Sequence, residues 1–378
     1  MHIPFNRSPG LPSSLEYMAQ ATAGGHLSGD GPFTKKCSEW IERQTGVFKA
    51  LLTTSCSHAL DISSRLCNIL PGDEVILPSY TFSSTANAFA GMGAQLVFVD
   101  IRPDTMNLDE RLVEAAVTPK TKAIVPVHYA GIACEMDEFT DIARQHNLYI
   151  VEDAAQGVMA SYKGRALGAM SHFGTFSFHE TKNFSMGEGG ALLLGDAATA
   201  EAAEIIREKG TDRSKFFRGQ VDKYSWVEWG SSYLPSELNA AFLWGQLEAA
   251  QEITDARMAI WQRYNAAFSA LAAKGRVVLP TIPAHCTHNA HMFYMKAANL
   301  DERTRLLAHL KVRNILAVYH YVPLHSAPAG HKYGRFSGQD VYTTAESERL
   351  LRLPLYYGLS TQDVDRVIEA VHDFYAVN

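Results

Sequence analysis

One lysine, Lys182, lies in an unusual place in the stretch FSFHETKNFSMGEGGALLL, between two strand-like apolar runs and just before a Gly-Glu-Gly-Gly turn. An acidic residue, Asp153, ends another strand-like run, LYIVED, earlier in the chain. Ligands of open α/β sheets bind beyond the carboxyl ends of the strands, so these two groups are expected to converge on one crevice. Taken alone, Asp153 could instead begin a helix, and the two residues could simply form an ion pair.

Two further segments add a candidate anion site and an aromatic surface. The segment TTSCSHALD follows the first predicted strand, and it places Ser55, Cys56 and Ser57 at the start of a helix. Backbone N–H groups and the helix dipole bind anions there, although a serine at this place is also an ordinary helix cap. The segment PSYTFSS ends the next strand with Tyr80 and Phe82, either of which could face the crevice or belong to the core.

A phosphate site, an aromatic ring, a carboxylate and a lysine are together the groups that pyridoxal phosphate requires. The lysine binds the cofactor aldehyde, and the carboxylate keeps the pyridine nitrogen protonated so that the ring can accept electrons. Gly187, Gly189 and Gly190 permit the tight backbone that brings the lysine loop close to the cofactor. The GEGG turn is a weak signal alone, but the combination predicts a site for pyridoxal phosphate.

The elements that must position these groups alternate along the chain. Short β-branched runs between residues 47 and 195 alternate with helix-sized segments, which predicts a mostly parallel sheet with helices on both faces. Long Ala/Glu-rich helical sequence follows, and then a mixed C-terminal portion. We therefore expect an α/β protein with a large domain over residues 1–250 and a smaller α+β domain over residues 251–378.

Composition narrows the class of protein. The chain has 378 residues, a net charge of -6 and no basic run, so it does not have the charge footprint of a nucleic-acid binder. The N-terminus does not resemble a signal peptide, and no apolar run reaches the ~18 residues of a membrane span. Five scattered cysteines and the absence of a convincing metal motif predict a cytoplasmic protein without a metal.

The motifs EDAAQ and FSFHETKN with the following GEGG resemble those of the sugar-nucleotide aminotransferases of the DegT/DnrJ/EryC1/StrS family. The resemblance runs over nearly the whole chain, from GDGPFTKK to SERLLRLPLYYGLS. It implies the type I fold of pyridoxal-phosphate-dependent transferases. In that fold a large domain with a mostly parallel seven-stranded sheet is joined to a smaller C-terminal α+β domain.

The resemblance also implies roles for the residues around the cofactor ring. Lys182 holds the cofactor covalently and then moves a proton. Asp153 pairs with the pyridine nitrogen, Gln156 lies against the ring hydroxyl, and Phe82 stacks on the ring. For His179, next to the lysine loop, a structural role is the better interpretation.

Contacts to the phosphate and to the substrate are implied in the same way. The implied phosphate contacts are Cys56, Ser57 and Ser177. The implied substrate contacts are Gly29 and Asp30 in GDGPFT, and His320 and Tyr321 in YHYVP.

Several segments, among them IPFN, FFRGQVDKYSW and YHYVPLHSAPAG, resemble family members that aminate C4 of dTDP-4-keto-6-deoxy-D-glucose. The product would be dTDP-4-amino-4,6-dideoxy-D-galactose, a sugar for lipopolysaccharide or enterobacterial common antigen. L-Glutamate would be the amino donor, and the enzyme would be a homodimer with shared active sites. Amination at C3, a UDP-linked sugar and a non-catalytic regulatory protein stay open as alternatives. Lys182 disfavours a related 3-dehydratase, in which histidine replaces the lysine.

Overall fold

The computed structural model describes residues 2–377 and contains all seven strands predicted for the large sheet. Each is a short run that is almost wholly buried, and most are rich in β-branched residues or leucine, as expected for strands covered on both faces. The strands of the chain are β1 Lys49–Thr53, β2 Glu74–Pro78, β3 Gln95–Val99, β4 Thr121–Ile124, β5 Tyr149–Asp153, β6 Ser161–Tyr162, β7 Arg165–Ala166, β8 Phe173–Ser177, β9 Gly190–Leu194, β10 Cys286–Thr287, β11 Phe293–Lys296, β12 Val318–Tyr319, β13 Gly334–Phe336 and β14 Leu350–Leu353.

The large sheet has the order β1-β9-β8-β5-β4-β2-β3-β13. Only β9 runs antiparallel to its neighbours, and the other pairings within the sheet are parallel. The seven predicted strands are confirmed, but within residues 2–377 the sheet has an eighth member, β13. Sequence analysis missed this three-residue strand because it is too short to show a period of its own.

Helices cover both faces of the sheet. Neighbouring side chains on one strand point to opposite faces, so Leu52 and Ile76 belong to one apolar cluster while Leu51 and Val75 belong to the other. The helices are α1 Pro12–Ala23, α2 Pro32–Thr45, α3 Cys56–Leu66, α4 Ser83–Ala90, α5 Glu110–Ala116, α6 Met136–His146, α7 Ala200–Arg207, α8 Arg213–Phe217, α9 Glu237–Glu248, α10 Ala250–Ala273, α11 Leu300–Val312, α12 Pro328–Tyr333, α13 Thr343–Arg349 and α14 Thr361–Val377.

The long helical sequence after Ser236 forms two helices that separate at Ala249, whose φ of -99° and ψ of 19° are not helical. The two helices pack against different neighbours. The first, α9, packs against α1 and α2, whereas α10 packs against α14. The chain changes direction at Ala249 because the two helices pack against different neighbours.

The C-terminal portion is built around the antiparallel sheet β11-β14-β12, which has its own apolar core. Two connections cross the predicted division at residue 250. Strand β13 joins the large sheet, and Ile3 near the N-terminus pairs with Ile315 and lies in the C-terminal core. The division into residues 1–250 and 251–378 stays a prediction. Across residues 2–377, no helix has both the length and the apolar character that crossing a membrane requires.

Candidate active site

A cavity of about 610 Å³ lies at the carboxyl ends of β1, β5 and β8. Its volume is in the range of cofactor and small-ligand sites. Nine of the predicted site residues line it: Cys56, Ser57, Phe82, Asp153, Gln156, Ser177, Lys182, His320 and Tyr321. The convergence expected from the strand ends is therefore present in the structure.

The loop that carries Lys182 connects β8 to β9 and is fixed by hydrogen bonds at several points. Within the loop, the Lys182 N–H donates to the carbonyl of His179 at 2.9 Å. The side chain of Gln246 on α9 bonds both the N–H and the carbonyl of Ser185, at 2.9 and 2.7 Å. Asn183, next to the lysine, bonds the His291 ring at 2.9 Å. The loop is therefore held against both the large domain and the C-terminal portion.

The Lys182 amine makes no hydrogen bond or ion pair with any residue between 2 and 377. Part of the side chain faces the cavity, and protein surrounds the rest. This burial lowers the pKa of Lys182 below its usual 10.5, with Arg352 acting in the same direction. Cys56 and Asp153 oppose the shift. A free amine with a lowered pKa is suited to proton transfer.

Asp153, the last residue of β5, turns its carboxylate into the same cavity. One oxygen accepts a hydrogen bond from the Thr85 hydroxyl at 2.7 Å, and the other accepts the Ala155 N–H at 3.1 Å. Thr85 is itself bonded to Thr81 at 2.8 Å. These bonds fix the carboxylate, which remains in contact with the cavity and can pair with a protonated ring nitrogen.

The start of α3 forms the predicted anion site. Ser55 caps the helix by accepting the His58 N–H at 3.1 Å, which leaves the N–H groups of Cys56 and Ser57 at the cavity. A Cβ atom on Gly190 would lie only 2.4 Å from the Cys56 nitrogen, so only glycine allows the lysine loop to approach this closely. Ser177 also lines the cavity, and the site therefore has the donors that a phosphate needs.

The aromatic wall of the cavity contains Phe82, whose ring is 59% exposed, and Tyr321 at 6.2 Å between ring centroids. Gln156 is fixed by accepting the Ala130 N–H at 2.6 Å, and its amide donates to the Tyr321 hydroxyl at 3.3 Å. Of the two aromatic candidates after β2, Phe82 faces the cavity, whereas Tyr80 is buried in a separate aromatic core. His179 is partly exposed and lines the cavity, and its Nδ1 accepts the Thr181 N–H at 3.2 Å within the lysine loop, so its structural role stays a prediction.

Two of the predicted substrate residues are not brought to this cavity. The Asp30 carboxylate binds the Arg207 guanidinium through two bonds of 2.6 and 3.0 Å. Gly29 packs closely against Leu234 and Pro235. Their motif, GDGPFT, begins α2 and is fixed by Glu237, which accepts the N–H groups of Phe33 and Thr34. In the described chain, this motif therefore has a structural explanation.

The structure also adds cavity residues that sequence reasoning missed. They come from the N-terminal segment, α4 and the C-terminal portion, and they are Phe5, Asn6, Ser84, His291 and Arg352. No local period marks them, because each reaches the cavity through tertiary packing. Phe5 and Asn6 lie in the motif IPFN, Ser84 in PSYTFSS and Arg352 in SERLLRLPLYYGLS, but the residues of these motifs alone did not assign them to the cavity.

These groups fit pyridoxal phosphate. The free N–H groups at the start of α3 match its phosphate, the exposed face of Phe82 matches its ring, and Asp153 matches its pyridine nitrogen. The unpaired amine of Lys182 at the cavity matches its aldehyde. The cavity therefore contains a partner for the phosphate, the ring, the pyridine nitrogen and the aldehyde of the cofactor.

The model of the DegT/DnrJ/EryC1/StrS aminotransferase family matches residues 12–372 of the chain. The chain belongs to this family. It is an enzyme, a pyridoxal-phosphate-dependent aminotransferase, and the expected type I fold is confirmed by its structural relatives. Spr1654 from Streptococcus pneumoniae is similar over 98% of each chain, with a TM-score of 0.91 and 26% identity, and has been solved with PLP and with PMP.

Two relatives of named activity are similar along most of their length. GDP-perosamine synthase from Caulobacter vibrioides is 32% identical over 363 residues, which is 94% of each chain. UDP-4-amino-4-deoxy-L-arabinose–oxoglutarate aminotransferase from Shewanella sediminis is 31% identical over 359 residues, which is 91% of this chain and 90% of that protein. This aminotransferase is therefore similar to enzymes of amino-sugar synthesis.

Proposed function

We propose that this enzyme transfers the amino group of L-glutamate to C4 of dTDP-4-keto-6-deoxy-D-glucose, giving dTDP-4-amino-4,6-dideoxy-D-galactose. The observation that carries the proposal is the Lys182 amine, which is unpaired and lies on a half-buried side chain in one cavity with Asp153 and the start of α3. No structural bond explains this lysine among residues 2–377, whereas amino transfer requires such a group to move a proton.

The residues that line the cavity have different roles in amino transfer. Pyridoxal phosphate, held by Lys182, Asp153 and the start of α3, would carry the amino group between donor and acceptor and would supply the electron sink for both half-reactions. Lys182 takes the proton from the donor carbon in the first half-reaction and delivers a proton to the sugar carbon in the second. Asp153 favours the charged form of the ring nitrogen, and the fixed loop keeps the Lys182 amine within reach of the reacting carbon.

A sugar-nucleotide acceptor is supported by the relatives and by the shape of the site. The names of both relatives refer to nucleotide-linked sugars, and one refers to an amino group at C4 and to oxoglutarate. The cavity is large and partly open, and His320, Tyr321 and Asn6 present polar groups along its wall. The proposal of a thymidine nucleotide and a galactose product rests on the segments IPFN, FFRGQVDKYSW and YHYVPLHSAPAG, which resemble family members that form this product.

The experiment is product analysis by NMR with 4-keto and 3-keto sugars linked to dTDP, UDP and GDP, with L-glutamate as donor. We expect the axial 4-amino product from the dTDP-linked 4-keto sugar to form fastest. Faster amination of a 3-keto sugar, or of a UDP- or GDP-linked sugar, would replace the substrate assignment while leaving the aminotransferase assignment intact. A protein that binds these sugars without turnover would favour the regulatory alternative.

We further propose a homodimer with shared active sites. The support is an aromatic patch, residues 216–229, that runs from α8 across the following turns. Phe217 is 69% exposed and Trp226 is 80% exposed, and Tyr224 and Trp229 are also exposed. Exposed apolar groups of this density are typical of protein interfaces, where tyrosine, tryptophan, phenylalanine and arginine are enriched.

A further inference from the structure

A short segment of the C-terminal portion, residues 289–291, lies between the two loops that hold the centre of the site. One is the loop with Lys182, and the other is the turn that follows Asp153. The segment precedes β11 and is buried, with Asn289 and Ala290 at most 1% exposed. Its polar groups therefore need partners inside the protein, and they find them in both loops.

Asn183, the neighbour of Lys182, bonds this segment through both ends of its amide and is only 3% exposed. Its Nδ2 donates to the Asn289 carbonyl at 2.9 Å, and its Oδ1 lies 2.9 Å from Nδ1 of His291. A carbonyl can only accept, so the NH₂ group must face Asn289, and Oδ1 accepts the hydrogen on Nδ1 of the ring. Burial keeps the pKa of His291 well below its usual value, and the nearby positive charges act in the same direction. The ring is therefore neutral and donates to Asn183.

The side chain of Asn289 bonds the turn that follows Asp153. Its Nδ2 donates to the carbonyls of Gln156 and Val158, at 2.8 and 2.7 Å. Its Oδ1 accepts the His291 N–H at 3.0 Å, which fixes the orientation of the amide. Asn289 therefore holds the segment against this turn, while its own carbonyl is bonded to the lysine loop.

Two further residues fix the segment itself. Arg257 on α10, which is 1% exposed, donates to the carbonyls of Ala290 at 3.2 Å and His291 at 2.7 Å. These bonds hold Ala290 at a φ of 49°, which residues other than glycine seldom adopt. Gly131 permits the close approach of Asn289, because a Cβ atom there would lie 2.1 Å from Asn289 Oδ1. The position of the segment is therefore set by α10 and by Gly131, and not only by the two loops.

We propose that Asn183 is a positioning residue, which the segment 289–291 holds so that Lys182 stays at a fixed separation from Asp153. The cofactor has a rigid ring, so its aldehyde and its ring nitrogen require the lysine and the carboxylate at a set separation. The lysine side chain is a flexible four-carbon stem, and fixing its backbone narrows the places that the amine reaches. A second cavity, of about 10 Å³, is lined by Lys182, Asn183 and Asn289, so this network lies directly beside the lysine.

The two forms of the cofactor depend on Lys182 to different degrees. The Lys182 amine and the aldehyde of pyridoxal phosphate form a C=N bond with release of one water. Pyridoxamine phosphate carries an amine in place of the aldehyde and binds without a bond to the lysine. Misplacement of Lys182 therefore weakens binding of pyridoxal phosphate alone, whereas a general loss of structure weakens binding of both. This difference holds for any amino donor and any acceptor.

The test measures the Kd for both compounds with full-length wild type, Asn183→Leu and the control Asn107→Leu, each freed of cofactor. Leucine keeps the branched shape of asparagine but cannot donate or accept a hydrogen bond. Asn107 is 1% exposed, makes three hydrogen bonds to main-chain groups, and lines neither cavity. Binding of pyridoxal phosphate is followed by the absorbance of the lysine-bound cofactor, and binding of pyridoxamine phosphate by calorimetry. Thermal melts report the stability of each variant.

Loss of the two Asn183 hydrogen bonds corresponds to an increase of about 5- to 150-fold in the Kd of Asn183→Leu for pyridoxal phosphate. The Kd of this variant for pyridoxamine phosphate should stay at the wild-type value. Asn107→Leu should melt at a lower temperature than the wild type but bind both compounds normally, because its bonds do not reach the lysine loop.

Several outcomes would overturn the inference. An equal rise of both Kd values in Asn183→Leu would mean that Asn183 only stabilises the site, and unchanged values would mean that Asn183 does not position Lys182. A rise for pyridoxal phosphate alone in Asn107→Leu would assign the effect to stability. If Asn183→Leu does not fold, Asn183→Ala serves with the same expectations. Failure to aminate any keto sugar would refute the proposed acceptor without altering these cofactor measurements.

Discussion

Two adjacent carboxylates on β5, Glu152 and Asp153, should respond in opposite ways to removal of their charge. Glu152 is fully buried on the side away from the cavity, and Asp153 faces it. Each can be changed to its amide, Glu152→Gln and Asp153→Asn, with almost no change in shape. The pair therefore separates loss of stability from loss of chemistry within one strand.

The Glu152 carboxylate accepts four hydrogen bonds. One oxygen accepts from the Met170 N–H at 2.7 Å and the Ser171 hydroxyl at 2.9 Å. The other accepts from the Gly168 N–H at 2.8 Å and from His128 Nε2 at 3.0 Å. His128 Nε2 carries the hydrogen, because Nδ1 accepts the Cys134 N–H.

In Glu152→Gln, an NH₂ group replaces one of these oxygens in either orientation of the amide. When the NH₂ group faces Ser171, the Ser171 hydroxyl can accept from it and donate to the Phe173 carbonyl, so one donor, the Met170 N–H, has no acceptor, at a cost of about 1–3 kcal/mol. The unfolding free energy should therefore fall by about 1–3 kcal/mol. Amino transfer below the melting temperature should stay close to the wild-type rate, because Glu152 does not line the cavity.

Asp153→Asn should do the reverse. The amide oxygen can still accept the Ala155 N–H, and its NH₂ can donate to the Thr85 hydroxyl, so the local bonds survive. The charge that favours the protonated ring nitrogen is lost. If the charge-assisted bond contributes about 1.5–3 kcal/mol to the transition state, the rate should fall about 10- to 150-fold.

The assays are thermal and denaturant melts of both variants, and single-turnover absorbance changes of the bound cofactor with L-glutamate. The reasoning is refuted if Asp153→Asn keeps wild-type turnover while its melting point falls, since Asp153 would then be structural. It is equally refuted if Glu152→Gln melts normally, since its four bonds would then contribute nothing.

Changes at three other positions test the site and the assembly. Lys182→Ala should still bind pyridoxamine phosphate, but single turnover should slow by at least about 10²–10⁴-fold. The folded protein lowers the pKa of Lys182, so the lysine charge destabilises the apoprotein more at pH 7 than at pH 10.5; Lys182→Met should therefore raise Tm more at pH 7, and an equal gain at both pH values would contradict the lowered pKa. Gly190→Ala should weaken cofactor binding, because its Cβ would lie 2.4 Å from the Cys56 nitrogen. Gly10→Ala, with open space around Gly10, is the control in the same titration. Equal binding by both variants would show that cofactor binding does not need the close approach of Gly190 to Cys56. Trp226→Ser should shift sedimentation from dimer towards monomer, and an active wild-type monomer at assay concentration would rule out the shared site.

The sequence determined the large sheet and the centre of the site because both depend on local signals. Strands β1, β2, β3, β4, β5, β8 and β9 are short, buried and mostly apolar runs, as expected for strands that are covered on both faces. Asp153 ends β5, and Lys182 lies in the loop that follows β8. Because β5 and β8 are parallel neighbours, the two side chains come to the same edge of the sheet, as the sequence predicted.

Only the tertiary structure decided what the motif GDGPFT and Arg352 contact. The motif GDGPFT was predicted to border the substrate, whereas the structure places Asp30 against Arg207 and outside the cavity of the same chain. Arg352 lies in the motif SERLLRLPLYYGLS, and the pairing of β14 with β11 and β12 places it at the cavity. Both outcomes depend on partners far away in the sequence, and such contacts leave no local period or motif from which they could be predicted.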